Sequence, residues 1–216
     1  CALPISCDSK DSGNVVSVSK NEITGIKFQF EKGMTAKVSE VHFDGVDAKV
    51  KHHKRILVMA PHEDDEMLMA GGVMNRAVAN GDEVYVVYAT NGDYNGVDHG
   101  KLRISDTVNA LNTIGVPTEH LYFLGYADNG GMGVGAFTTA FTDSFVYNIY
   151  VADDNKVISS RNGVTETYGN ENVRNDYHYL TTGEHASYTR ANFLADLKSV
   201  MESVNPTDVY MTSRYD

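Results

Sequence analysis

Five consecutive ionisable residues, His62-Glu63-Asp64-Asp65-Glu66, follow the apolar run Ile56 to Met59 and the proline Pro61. One or two acids near a helix N-terminus are favoured by the helix dipole and call for no chemistry. Four acids beside an imidazole bring like-charge repulsion that a bound cation would reverse. His62 and Asp65 stand three residues apart, so on a first helical turn both can face one point. One imidazole with one carboxylate suits zinc and tolerates other divalent first-row ions. Asp64, between them, is expected to point elsewhere and to stay free of a metal. The plainer alternative is an acidic helix cap beside a satisfied histidine.

The flanking residues say which elements must hold this turn. Ile56 to Met59 is short and aliphatic, as in a parallel strand buried on both faces, and Pro61 ends its ladder because it has no N–H to donate. Met67, Leu68, Ala70, Val73, Met74, Ala77 and Val78 recur at helical spacing through Asn80, with Gly81 at the C-cap. Residues 62–66 therefore fill a strand-to-helix turn, the place where open α/β sheets bind ligands. Val84 to Ala89 reads as a second buried strand opening into the turn-rich loop Thr90 to Gly96. Arg103 opens a helical stretch that runs through Leu111 and stops at Gly115-Val116-Pro117. The strand His120 to Leu124 leads into a loop, Gly125 to Met132. Residues 133–188 show no clean period, and so long an irregular stretch is usually functional or mobile. His178 and His185 lie within it, and His99 lies in the earlier loop; each can approach the site only from a loop. A helix from Tyr188 to Asn205 and a short strand, Asp208 to Thr212, complete the order. The fold class is α/β, a Rossmann-like three-layer core with a mostly parallel sheet. Dinucleotide binding does not follow, because the first turn lacks G-x-G-x-x-G and its acids would repel a pyrophosphate.

Pro61-His62-Glu63-Asp64-Asp65-Glu66, set between a buried strand and a helix carrying Gly71-Gly72, resembles the motif of the PIG-L/LmbE-like N-acetylglucosaminyl de-N-acetylases. That family removes acetyl groups from N-acetylglucosamine conjugates with the help of zinc. Its commoner form has proline where this chain has Glu63. The resemblance implies that His62 and Asp65 are metal ligands for Zn2+, another divalent metal being possible, and that Asp64 is the general base. Thr90 to Gly92 match the family's Thr-x-Gly-rich loop. Arg103 fits the place of an arginine that contacts the sugar, its alternative being a surface ion pair with Asp106. Asp128 fits an aspartate that accepts hydrogen bonds from sugar hydroxyls, its alternative being an ordinary turn. In the family the loop begun here at Thr212 runs on into a His-x-Asp-His segment bearing the third ligand. No such segment occurs up to Asp216, so the third ligand is expected after Asp216 and these 216 residues alone are expected to hold zinc weakly and to show little activity.

The chain has 216 residues, is 42% hydrophobic and 22% charged, and carries a net charge of −11, which suits one well-buried domain. Nucleic acid and anionic membrane surfaces are excluded as expected partners, since both are bound through clusters of Lys and Arg. No apolar run approaches the ~20 residues of a transmembrane helix. Residues 1–14 have the composition of a polar tether, and Cys1 or Cys7 is expected to carry a lipid anchor, as at a bacterial lipoprotein N-terminus. Plain thiols or a small disulfide loop are the alternative. Export to a bacterial cell surface follows as an expectation. Residues 15–53 alternate as an N-terminal β region of hairpin strands packed on the core, and residues 54–216 form the de-N-acetylase-like catalytic domain. The function expected is a metal-dependent hydrolase acting on an N-acetylated amino-sugar substrate. A non-catalytic surface glycan-binding protein and a structural cation site are the competing readings.

Overall fold

The computed structural model describes residues 53–128 and 149–212. The expected tether and hairpin region fall outside the described residues. Within them the chain runs β1 (Arg55–Ala60), α1 (Asp65–Asn80), β2 (Glu83–Thr90), α2 (Val97–Thr113), a 3-10 turn (Thr118–His120) and β3 (Leu121–Tyr126). After the second interval come a short α3 (Tyr177–Thr182), α4 (Arg190–Val204) and β4 (Asp208–Met211). The sheet has the order β3-β2-β1-β4, and every pairing is parallel. No helix among the described residues is long and apolar enough to cross a membrane.

Alternation along the strands divides the core between the two faces of the sheet. Ile56, Val58 and Ala60 of β1, with Val84, Val86, Tyr88, Leu121 and Phe123, pack against Ala70, Met74 and Ala77 of α1 and Ile104, Val108 and Leu111 of α2. Leu57, Met59, Val87, Ala89, Leu124 and Tyr126 face the other way, onto Phe193, Val200 and Val204 of α4. This is the three-layer α/β arrangement that the run of short aliphatic strands predicts. Burial on both faces is also why the strands read as unbroken apolar runs and not as alternating ones. One boundary differs from expectation: α2 begins at Val97, so Arg103 lies in its second turn and does not open it.

The strand order places the turn after β1 at a special point. From β1 the chain winds outward through β2 to β3, then returns to lay β4 on the opposite side of β1. The reversal leaves a crevice at the carboxyl ends of β1 and β4, where the covering helices diverge. Residues 62–66 enter that crevice by topology.

The irregular stretch is anchored on β3. Tyr168 N–H donates to the Gly125 carbonyl at 3.3 Å, and the Tyr188 hydroxyl donates to the same oxygen at 3.1 Å. Gly125 has φ +80°, and a Cβ there would lie 2.7 Å from the Tyr168 carbonyl oxygen and 2.8 Å from Asp176 Cβ. Gly125→Ala combines an unfavourable backbone conformation with a clash against packed backbone, so urea unfolding should show a loss of about 2–5 kcal/mol. A variant as stable as the parent would mean that the stretch does not pack on β3 in solution.

Candidate active site and metal centre

The turn is built by ending β1 before the sheet ends. Pro61 cannot donate, but its carbonyl accepts from Thr90 twice, from the N–H at 2.9 Å and from the hydroxyl at 3.1 Å. That double bond to fully buried Thr90 fixes where the chain leaves the sheet. Asp64 is the residue before α1, with φ 105° and ψ −33°, a conformation that L residues rarely adopt. Its N–H donates to Glu66 Oε2 at 2.9 Å, so an acid two residues ahead satisfies the helix entrance.

Spacing alone has Asp64 pointing away from His62 and Asp65; the structure gathers all three. His62 Nδ1 lies 3.1 Å from Asp65 Oδ2 and 3.4 Å from Asp64 Oδ1. One ligand atom from each of the three residues falls within 4.8 Å of the others. His62 Nδ1 is buried and has no hydrogen-bond partner of acceptable geometry among the described residues. An imidazole nitrogen and two carboxylate oxygens converging without hydrogen bonds between them form a donor set fitted to a divalent cation. Burial foremost raises the pKa of Asp65, against the opposing pull of His62. An ion at this point would offset that desolvation. The positive φ at Asp64 is what turns its carboxylate back toward His62, and sequence spacing carries no signal for it.

Arg103 closes the turn from the α2 side. Its Nη2 donates to the Glu63 carbonyl and lies 3.4 Å from Asp64 Oδ2, while Nη1 donates to the Gly92 carbonyl at 3.4 Å. The partners of this guanidinium are therefore the acidic turn and the β2 loop, in place of the surface pair with Asp106. Its approach depends on Gly92, where φ is +56° and a Cβ would fall 2.5 Å from Arg103 Nη1. Asp64 thus divides its two oxygens, Oδ1 toward His62 and Oδ2 toward Arg103, and its side chain is 65% exposed, open to water and to a ligand.

Two residues at the site carry no clear signal in the sequence. Glu63, at the position where the resembled motif has proline, is only 2% exposed. Burial raises its pKa to about 8, against the pull of its own N–H and of the Arg103 guanidinium. Asp93, inside a stretch that reads as a plain Asn-Gly-Asp turn, is fully buried. It accepts from the Asp128 N–H at 2.5 Å and from the Tyr168 hydroxyl at 2.8 Å, bracing the β2 and β3 loops against the irregular stretch. Asp128 itself is buried at the carboxyl end of β3, one loop further along the same edge of the sheet. The histidines expected in loops are otherwise engaged: His178, which the structure places in α3, has Nδ1 2.8 Å from Asp196 Oδ1, and His185 Nδ1 lies 2.6 Å from buried Asp176 Oδ2. Neither joins the His62 cluster, and neither does His99.

An imidazole, two carboxylates and a guanidinium thus converge at the switch point of a parallel three-layer domain, where the donor set could hold a metal ion. The chain matches the PIG-L family, described as GlcNAc-PI de-N-acetylase, over residues 57–216, and it belongs to that family. A similar protein from Bacteroides thetaiotaomicron, described as glucosamine-6-phosphate deaminase-like, is 34% identical over 68 residues. That match takes in 32% of this chain and 10% of the relative, so the chain spans about a tenth of the relative's length.

The backbone at Asp64 gives a test independent of activity. At positive φ a glycine is unstrained and an alanine is not, a difference of about 1 kcal/mol or more. Metal-free Asp64→Gly should therefore unfold at higher temperature than Asp64→Ala. Equal stability, or the reverse order, would show that the turn does not hold this conformation in solution.

Proposed function

We propose that the protein is a metal-dependent N-deacetylase that hydrolyses the acetamide of an N-acetylglucosamine-type sugar or glycoconjugate. The observation that carries this reading is the convergence of buried His62 Nδ1 with Asp64 Oδ1 and Asp65 Oδ2. His62 and Asp65 would hold the cation, with zinc favoured by the mixed nitrogen and oxygen donors. The chemistry such an ion supplies when bound is Lewis acidity toward water and toward the amide carbonyl. Asp64 is the general base: at Oδ1 it takes the proton of the attacking water and later returns it to the departing amine nitrogen. Arg103, 3.4 Å from Asp64 Oδ2, holds the second oxygen in place and presents its remaining edge to the sugar. Asp128, at the end of β3, accepts from sugar hydroxyls further along the same edge.

Relative to the sequence expectation, Asp64 stands closer to the cation site, and its role as base is separable from ligation by experiment. In the full-length protein, His62→Ala and Asp65→Ala should each remove bound zinc in elemental analysis. Asp64→Asn should retain the metal and lose about 10²–10⁴-fold in kcat for acetate release from N-acetylglucosamine conjugates. Loss of metal with Asp64→Asn would reassign that residue as a ligand. Sugar binding without any acetate release by the metal-loaded parent would favour the glycan-binding reading. A lipid anchor at Cys1 or Cys7, and with it a cell-surface location, remains a separate proposal resting on composition; the mass of the native N-terminal peptide decides it.

A further inference from the structure

We propose that Glu63 is a positioning residue whose buried carboxyl fixes the plane of the Arg103 guanidinium against Asp64; this rests on the reading of Arg103 and Asp64 given above. Neither Glu63 carboxyl oxygen has a hydrogen-bond partner of good geometry among the described residues. Unsatisfied buried carboxyl oxygens are uncommon in folded proteins and call for a reason. The helix dipole does not supply one, because it rewards acids at exposed positions such as that of Asp64 just as well. The positive group that faces Glu63 is Arg103, with Nε 3.4 Å from Glu63 Oε2. The other charged groups acting on it, Glu66 and Asp64, repel it.

A guanidinium is a planar fork, so contacts on two of its edges determine its orientation. Here Nη1 and Nη2 meet the carbonyls of Gly92 and Glu63, and the Nε edge meets the Glu63 carboxyl. Gly92 leaves no room for any Cβ behind the group. Without the Glu63 carboxyl the two carbonyl contacts still hold the guanidinium in the turn, but it can rock about them. The edge near Asp64 Oδ2 then loses its aim. Glu63 acts through Arg103 and touches neither substrate nor the reacting atoms.

The test uses the full-length, metal-loaded protein with Glu63→Gln, Glu63→Leu, Arg103→Ala and the Glu63→Leu/Arg103→Ala double variant. Glu63→Leu should lower kcat/KM by about 10- to 100-fold, the scale of a hydrogen bond to a charged group. Glu63→Gln, which keeps a polar oxygen facing Nε, should recover much of that loss, with zinc content unchanged in both. The double variant should be no worse than Arg103→Ala alone. Losses that multiply would overturn the inference while leaving Arg103 its role. An Arg103→Ala variant with undiminished kcat/KM would instead defeat the reading of Arg103 on which the inference rests. A readout independent of turnover is the Arg103 Nε–H resonance, expected as a distinct, slowly exchanging NMR signal in the parent and in Glu63→Gln and lost in Glu63→Leu. If Glu63→Leu does not fold, Glu63→Gln alone decides: an unchanged Nε–H shift overturns the inference, and a shifted one supports it.

Discussion

The Arg103 guanidinium lies against a turn that carries four carboxyl groups, and the geometry of the site follows from that contact. Two unit charges 4 Å apart interact by about 1 kcal/mol in water and about 4 kcal/mol at the effective dielectric of a protein surface. Glu63 and Glu66 are 2% exposed and Asp65 is partly buried, so the turn sits nearer the second figure. Without a cation against it, the most economical response of the chain would be to splay these side chains into solvent. Arg103 holds them in by spanning the Glu63 carbonyl and the Asp64 carboxylate from a different βα unit. The cost is shared by the backbone, which adopts φ 105° at Asp64, and by Gly92, which gives up a side chain to let the guanidinium approach.

This arrangement is possible because the elements around it leave little freedom. β1 and β2 are in register from Arg55↔Glu83 to Ala60↔Tyr88, and the next backbone group along β2, at Thr90, ties down the Pro61 carbonyl. α1 from Ala70 onward and the second turn of α2 are both packed on one face of the sheet in the cluster around Met74, Ile104 and Leu111. Side chains projecting from such packed elements are held to the tolerance that catalysis needs, where side chains on a free loop are not. On the remaining side, Tyr168 reaches Asp93 and the Gly125 carbonyl, so the irregular stretch is fastened to the edge of the sheet instead of hanging over it.

Much of this was legible in the sequence, for reasons that can be named. The aliphatic runs of β1 and β2, the helical recurrence from Met67 to Val78, and Gly81 in a left-handed C-cap all lie where the pattern puts them, because burial on both sheet faces leaves an unmixed signal. The start of α2 was not legible. Its first turn, Val97-Asp98-His99-Gly100, is polar and interrupted by a glycine that reads as a loop residue, whereas in the fold Gly100 is there because a Cβ would strike the Tyr168 hydroxyl, 2.6 Å away. At the site, residue types and spacing pointed to His62 and Asp65, and the resemblance pointed to Asp64 and Arg103. The contact between Arg103 and Glu63 crosses forty residues and leaves no local trace. Asp93 is hidden likewise, since burying a carboxylate under a tyrosine from a distant stretch looks, residue by residue, like a solvated turn.

The unsatisfied polar atoms have a distribution that bears on function. Among the described residues, the buried side-chain atoms without a good partner include His62 Nδ1, both Glu63 oxygens, Asn91 Oδ1 and His99 Nδ1, which belong to the carboxyl ends of β1 and β2 and to the segments that follow them. Tyr126 Oη on β3 and Asp196 Oδ2 on α4 are further cases. At the opposite end of the sheet, exposed polar groups pair with one another: Lys54 N–H with Asp82, Arg55 Nε with the Asn205 carbonyl, and Thr207 with the Arg55 carbonyl. Each buried polar atom left without a partner costs about 1–3 kcal/mol. A cation beside His62 would satisfy its ring nitrogen and reverse the sign of the local field.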